Sequence, residues 1–398
     1  MRSVAEHQKV VADLVASQKA TRVLLAEALG RVLASDQIAP ISLPCFDNSA
    51  MDGYAVRAAD VASANSENPV HLPVAEDIPA GRIDIPALEA GTAHRIMTGA
   101  PVPSGADAIV PVEATDGGTE IVTIRESRAS GSHLRYAGED VRTGQRVLAA
   151  GTVIGPAQIG LLAALGLTQV EVYPAMRVLV LSTGSELVEP GIELKPGQIY
   201  ESNAPMLAAA ITAAGATATV VRFVADNVED FHAALETHLG EADLIVTTGG
   251  VSAGAYEVVK DALACEAVDF VKVAMQPGKP QGAGTYRGVP IVTFPGNPVS
   301  ALVSFEVFLR GPLRAAMGFA NTERPHLQAT LMDTAVAPAG SRQFRRGRLA
   351  GDRVSLVGPP ASHYLNALAA TDCLVDIPAD VVRLTAGDQI TVWDLRES

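Results

Sequence analysis

Cysteine is scarce. Cys45, Cys265 and Cys373 are the chain's three, far apart and with no C-x-x-C spacing, which argues against a zinc or iron–sulfur centre and fits a reducing cytoplasm. Aromatic residues are only 4% of the chain, and basic residues are in deficit: 30 Lys and Arg against 44 Asp and Glu leave a formal net charge of −14. A nucleic-acid partner needs the opposite balance and is excluded as an expectation, as is an anionic membrane surface. No long apolar run is present. Residues 153–167 are too short to cross a bilayer and are broken by Gly and Pro, and residues 1–29 are interrupted by Glu6, Lys9, Asp13, Lys19 and Arg22, unlike a leader peptide. The eight histidines show no Ser-His-Asp or Cys-His arrangement, so no covalent nucleophile is expected.

What is there is ample apolar material: 48% of 398 residues, with 35 Gly and 25 Pro to make turns. That length predicts two to four domains. Apolar residues at helical spacing predict helices over 4–16 and 21–33. From Pro40 to about residue 145, Pro and Gly punctuate short apolar runs, which predicts a β-rich insertion, and a helix is expected over 157–167. From Met176 strands at 178–181, 217–224, 244–246, 270–274 and 291–294 alternate with helices at 203–214, 228–239, 256–265 and 299–317. Such alternation indicates a doubly wound parallel α/β sheet. After Pro325 the pattern becomes β again, with strands at 327–334, 343–349, 353–357, 374–377 and 389–394. The reading is a multidomain α/β-plus-β protein. Its units are a helical linker domain (1–40 and 146–175), a β-rich insertion (41–145), an α/β domain (176–322) and a C-terminal β domain (323–398).

Ligands of open α/β sheets bind beyond the carboxyl ends of the strands. Three such ends here run into Ser182-Thr183-Gly184-Ser185-Glu186, Thr247-Thr248-Gly249-Gly250-Val251-Ser252 and Pro295-Gly296-Asn297-Pro298-Val299-Ser300. Each offers glycine for close approach, hydroxyls and backbone N–H groups near a helix start, which outlines an anion cradle. Any one loop is more economically a strand-to-helix turn; three together are harder to dismiss. None is a P-loop or a dinucleotide fingerprint. Glu186, Asp226 and Glu257 fall near the same edge. Carboxylates beside a phosphate repel it unless a cation bridges them, and an oxygen-only ligand set suits Mg²⁺. Lys279, held between Gly278 and Pro280, presents a point charge for an oxyanion.

Taken together, these strings resemble the MoeA family, to which the gephyrin and plant Cnx E domains are related. The resemblance is carried by 47–55 (DNSAMDGYA), Arg95–Pro103, Gly138-Glu139-Asp140, Ser182-Thr183-Gly184, Gly197-Gln198-Ile199-Tyr200, Gly249-Gly250-Val251-Ser252, Pro277-Gly278-Lys279-Pro280 and 295–300, in order along nearly the whole chain. It implies an elongated four-domain homodimer with a C-terminal β-barrel. In such a dimer the α/β domain of one subunit faces the insertion of the other. The implied reaction consumes adenylylated molybdopterin and molybdate, releases AMP and leaves molybdenum on the dithiolene with help from Mg²⁺. It also implies a transient contact with a molybdopterin adenylyltransferase. Carried over residue by residue, it puts Asp52, Thr98 and Asp140 on the insertion side. Glu186, Asp226, Ser252, Glu257, Lys279, Pro280, Pro298 and Ser300 fall on the α/β side, and Ser362 near the molybdate.

The chain departs from the family pattern at several positions. Gln276 stands where a first lysine is common, Glu257 where Asp is frequent, and Ser185 replaces a common acid. The arginine expected before Phe344 is offset, leaving Arg342 or Arg346 to serve the molybdate. Two other readings follow from the same residues: an adenylyltransferase-type activity, which the α/β domain alone would suit, and a non-catalytic gephyrin-like scaffold.

Overall fold

A computed structural model describes residues 1–224, 227–250 and 258–396. Its central sheet runs Thr217–Val224, Arg177–Thr183, Leu244–Thr248, Val289–Phe294, Pro280–Tyr286, Ala267–Lys272. The first four are mutually parallel, and their apolar runs (Val178–Leu181, Leu244–Val246, Ile291 and Val292) are buried, as strands covered on both faces must be. The last two pair antiparallel, so the sheet is mixed rather than wholly parallel. The antiparallel strand Pro280–Tyr286 was assigned no element from sequence, because Pro and Gly dominate it. Its glycines are there for packing. A Cβ on Gly282 would lie 2.2 Å from Thr293 Oγ1, and one on Gly284 would lie 1.9 Å from the Ala267 carbonyl.

The helix expected over 21–33 does not form. Thr21–Leu24 is a strand that pairs with Gln169–Tyr173, Leu25–Glu27 is one 3₁₀ turn, and Val32–Leu33 joins the other edge of the same small sheet. The run's apolar residues suit either period, and the β-branched Thr21 and Val23 are satisfied by the partner strand. The helix Val4–Leu14 forms, with the Ser3–Glu6 capping box at its start. It packs into the core of the α/β unit through Val4 and Val11. The long C-terminal helix of that unit is continuous from Pro298 to Ala316 but takes a π-helical turn at Phe305–Leu309. Pro312 lies just beyond; it lacks an N–H and crowds the preceding turn, which the wider π geometry relieves.

The insertion holds a five-stranded sheet, ordered Ala108–Pro111, Gly53–Val56, Ala93–Ile96, Val70–Ile78, Ile121–Ile124. The C-terminal region closes a barrel. Arg342–Ala350 pairs with both Arg353–Leu356 and Cys373–Ile377, and His326–Leu331 and Gln389–Asp394 complete the ring. Phe344, Leu374 and Trp393 on the barrel's outer face share one hydrophobic core with Phe294, Val299 and Phe305 of the α/β unit. This common core fixes the barrel against the carboxyl end of the sheet.

Candidate active site

A cavity of about 920 Å³ opens beyond the carboxyl ends of the parallel strands. Its wall is built from the three loops at those ends, from Gln276 to Gly278 with Pro280, and from Pro360 to His363 of the C-terminal region. The loops touch one another through glycine. A Cβ on Gly249 (φ +95°) would sit 2.5 Å from the Thr183 carbonyl, and one on Gly296 would sit 3.3 Å from the Gly249 Cα. Only glycine allows backbones this close, and the Gly249 N–H donates to the Phe294 carbonyl at 3.2 Å, joining the second loop to the end of the neighbouring strand.

The side chains divide into those spent on the scaffold and those left over. Ser182 Oγ donates to Glu201 Oε1 at 2.8 Å, and Thr248 Oγ1 donates to the Pro295 carbonyl at 3.2 Å. Thr183 Oγ1 is buried and has no hydrogen-bond partner among the described residues. Glu186 is exposed on the cavity side and folds its carboxylate back over Gly184. Asn297 Nδ2 donates to Ser362 Oγ at 2.9 Å and the Val299 N–H to the Ser362 carbonyl at 3.1 Å, so the C-terminal region is pinned to the third loop at the cavity wall.

Arg346 explains how Ser362 gets there. Its buried guanidinium donates to the carbonyls of Val357, Pro359 and Ala361, holding the segment that delivers Ser362. Arg342 does not reach the cavity, contrary to its sequence assignment. It forms a bidentate pair with Asp376 (2.8 and 2.5 Å), which also accepts from Trp393 Nε1, and it lines a separate groove with Ser3, His326 and Thr391. A buried carboxylate demands a counter-charge, and Arg342 supplies it.

The other expected residues of the α/β and C-terminal units fall into three groups. Ser182, Thr183, Gly184, Glu186, Gly249, Gly250, Pro280, Pro298, Ser300 and Ser362 share the cavity wall. Lys279 does not: it is exposed, its carbonyl accepts from the Val273 N–H, and only its flanks Gly278 and Pro280 line the cavity. Asp226, Ser252 and Glu257 lie outside the described residues. Among the described residues the wall carries no Lys or Arg, and no group of three or more His, Cys, Asp or Glu is placed to hold a metal.

On the insertion, Thr98 donates both its N–H and its hydroxyl to Asp52 Oδ1, at 2.6 and 2.7 Å. These bonds hold the Asp52 carboxyl below its usual range. Asp140 is exposed in the adjoining loop, which Asp47 ties down by accepting the Ala137 N–H at 2.7 Å. Phe46, Met51 and Tyr136 are exposed around them. None of these residues lines the cavity of its own chain. The reading from sequence missed Glu201 and Asn203 as organisers of the site, and it offered Arg346 only as a candidate for the molybdate. The bonds of Glu201 and Asn203 that reach the loops go to Ser182, Thr248 and Gly296, distant in sequence, and only Gln198-Ile199-Tyr200 before Glu201-Ser202-Asn203 had marked the region.

Comparison with known proteins agrees along the whole chain. Residues 2–166 match the family of the MoeA N-terminal region (domain I and II), residues 179–315 a probable molybdopterin binding domain, and residues 328–395 the MoeA C-terminal region (domain IV). Over 99% of this chain and all of the relative, it is 58% identical to molybdopterin molybdenumtransferase 2 of Mycobacterium tuberculosis. Over 98% of both chains it is 36% identical to molybdopterin molybdenumtransferase 1 of that organism. The crystal structure of the molybdopterin biosynthesis MoeA protein from Pyrococcus horikosii is similar at a TM-score of 0.82 and 30% identity, over 100% of this chain and 99% of that one. With three successive family regions matched and identity this high from end to end, the chain belongs to the MoeA family of molybdopterin molybdenumtransferases.

Proposed function

We propose that this chain inserts molybdenum from molybdate into adenylylated molybdopterin, cleaving the phosphoanhydride and releasing AMP. The observation that carries the reading is the cavity wall: three glycine-hinged loops, a buried Thr183 hydroxyl without a partner among the described residues, and Ser362 arriving from the barrel. Such a wall suits a polyanion held by oriented dipoles. Its lack of lysine and arginine among the described residues leaves room for charge from elsewhere. Lys279, beside the wall, is proposed to swing toward molybdate, and Ser300, Pro298 and Ser362 to shape the oxyanion end.

The oxygen-only donors, Glu186 with the Thr183 hydroxyl, fit a hard cation; Mg²⁺ would be held by Glu186, Asp226 and Glu257, with Ser252 beside it, and would offset the charge of the pyrophosphate. Glu186 orients that end of the substrate, and the closely packed loops exclude water from the opposite side. We place Asp52, Thr98 and Asp140 over the cavity of a second copy in a homodimer. Two features support this: these residues do not line their own cavity, and the apolar Phe46, Met51 and Tyr136 are exposed around them. Transient contact with a molybdopterin adenylyltransferase would deliver the substrate in the cytoplasm. Among the described residues no helix is long and apolar enough to cross a membrane.

The test is incubation with adenylylated molybdopterin, with and without molybdate. AMP release that depends on molybdate is expected. Transfer of AMP from ATP to molybdopterin would point instead to an adenylyltransferase, and binding without either reaction to a scaffold.

A further inference from the structure

The start of the helix Asn203–Ala213 is joined to all three loops of the cavity, each through a different bond. Glu201 is buried and its Oε1 accepts from the N–H of Asn203 (2.8 Å), the N–H of Ala204 (2.9 Å) and Ser182 Oγ (2.8 Å). It therefore ties the helix start to the first loop. Asn203 Nδ2 donates to Thr248 Oγ1 (3.1 Å) and to the Gly296 carbonyl (2.6 Å), which ties the same turn to the second and third loops. Both donors of the carboxamide are thus spent across loops. Thr248 passes the connection on to the Pro295 carbonyl. The second and third loops are also joined by the Gly249 N–H donating to the Phe294 carbonyl (3.2 Å), whereas the glycine contacts between the first and second loops set a minimum separation but no maximum. Hydrogen bonds supply the restraint that contacts cannot.

We infer that Glu201 and Asn203 are positioning residues that lock the three strand-end loops at one mutual spacing, so that their N–H groups converge on the substrate. Neither residue is assigned a contact with the reacting atoms. The catalytic part of the inference rests on the proposed insertase reading; the latch does not.

Two measurements separate them. In Asn203→Asp the shape is kept but an oxygen replaces the donor facing the Gly296 carbonyl. Amide hydrogen exchange should rise about tenfold at 248–250 and at Gly296 and Asn297, the effect of losing one hydrogen bond, with the barrel strand Arg342–Ala350 unchanged. In molybdate-dependent AMP release, kcat should fall about a hundredfold while KM for molybdate moves less than about threefold, as expected for misplaced rather than missing groups. Glu201→Ala should raise exchange at 182–184, and Glu201→Gln, which keeps an acceptor for the same donors, should restore protection there. Unchanged exchange at the loops in both Asn203→Asp and Glu201→Ala overturns the latch. Raised exchange with normal kcat, or a kcat loss that only follows the folded fraction, overturns the positioning role. Wild-type protein that releases no AMP refutes the insertase reading, and the exchange arm then decides the latch alone.

Discussion

Gly249→Ala is the sharpest probe of how the loops are packed. At φ +95° an L-residue is strained, at a cost of about 1–2 kcal/mol. The new methyl would also stand 2.5 Å from the Thr183 carbonyl oxygen and 3.0 Å from its hydroxyl. An ordinary C···O contact is about 3.3–3.6 Å, so one loop must retreat by most of an ångström. Overpacking of that kind adds about 1–3 kcal/mol. Gly151→Ala is the control: its φ is +85° but nothing lies within 4 Å of the added atom, leaving only the backbone cost. Thermal unfolding should therefore show Gly249→Ala lowering the melting temperature about twice as far as Gly151→Ala, consistent with the sum of the two costs. AMP release should fall well beyond the loss of folded protein. Equal shifts in the two variants would refute the claim that the first and second loops are in backbone contact.

Other outcomes follow from single groups. His7 is 1% exposed, edge-on to Phe308 and 3.4 Å from Arg2, and burial with the nearby arginine lowers its pKa from 6.5 to about 4. The unfolded chain takes up that proton first, so stability is complete above about pH 6.5 and falls as pH drops toward 4, by on the order of 3 kcal/mol. A pH series of denaturation midpoints should flatten over that range in His7→Leu, and an unchanged slope would exclude His7 as the source. Arg346→Leu strips the donors from three carbonyls. It should cost about 3 kcal/mol and open residues 357–363 to limited proteolysis; a protected segment would contradict the role given to Arg346. Asp52→Asn should leave the melting temperature in place and cut turnover about a hundredfold if that carboxylate acts at a partner's cavity; undiminished turnover would remove it from the site. Lys279→Ala should raise the molybdate concentration needed for half-maximal AMP release, and an unaltered molybdate response would exclude its proposed role.

The sequence was most legible where periodicity was unambiguous. The buried parallel strands announce themselves as continuous apolar runs, and the loops after them as glycine with hydroxyls, so the cavity wall could be written down from Ser182-Thr183-Gly184, Gly249-Gly250 and 295–300. It was least legible where tertiary pairing decides. Residues 21–33 carry an apolar pattern that a helix or a strand can bury, and the partner strand Gln169–Tyr173 lies too far along the chain to be seen. Pro280–Tyr286 looks like a loop because its glycines answer to Ala267 and Thr293 across the sheet. Arg342 and Arg346 lie four residues apart on one strand, two periods of its alternation. Both occupy the barrel's outer face, and only the positions of Asp376 and of the 357–361 carbonyls tell their roles apart. Lys279 was placed from its rigid flanks, but it is the flanks Gly278 and Pro280, and not the lysine, that line the cavity.

The central claim is that the oxyanion is held at the carboxyl edge of the sheet, between the strand-end loops and the segment carrying Ser362. Crystals soaked with molybdate and AMP, measured at the molybdenum absorption edge, test it directly. Anomalous density is predicted within hydrogen-bonding reach of Ser300, Ser362 and the amides flanking Pro280. Molybdenum bound instead in the groove beside Arg342 and His326, with the strand-end cavity empty, would contradict it.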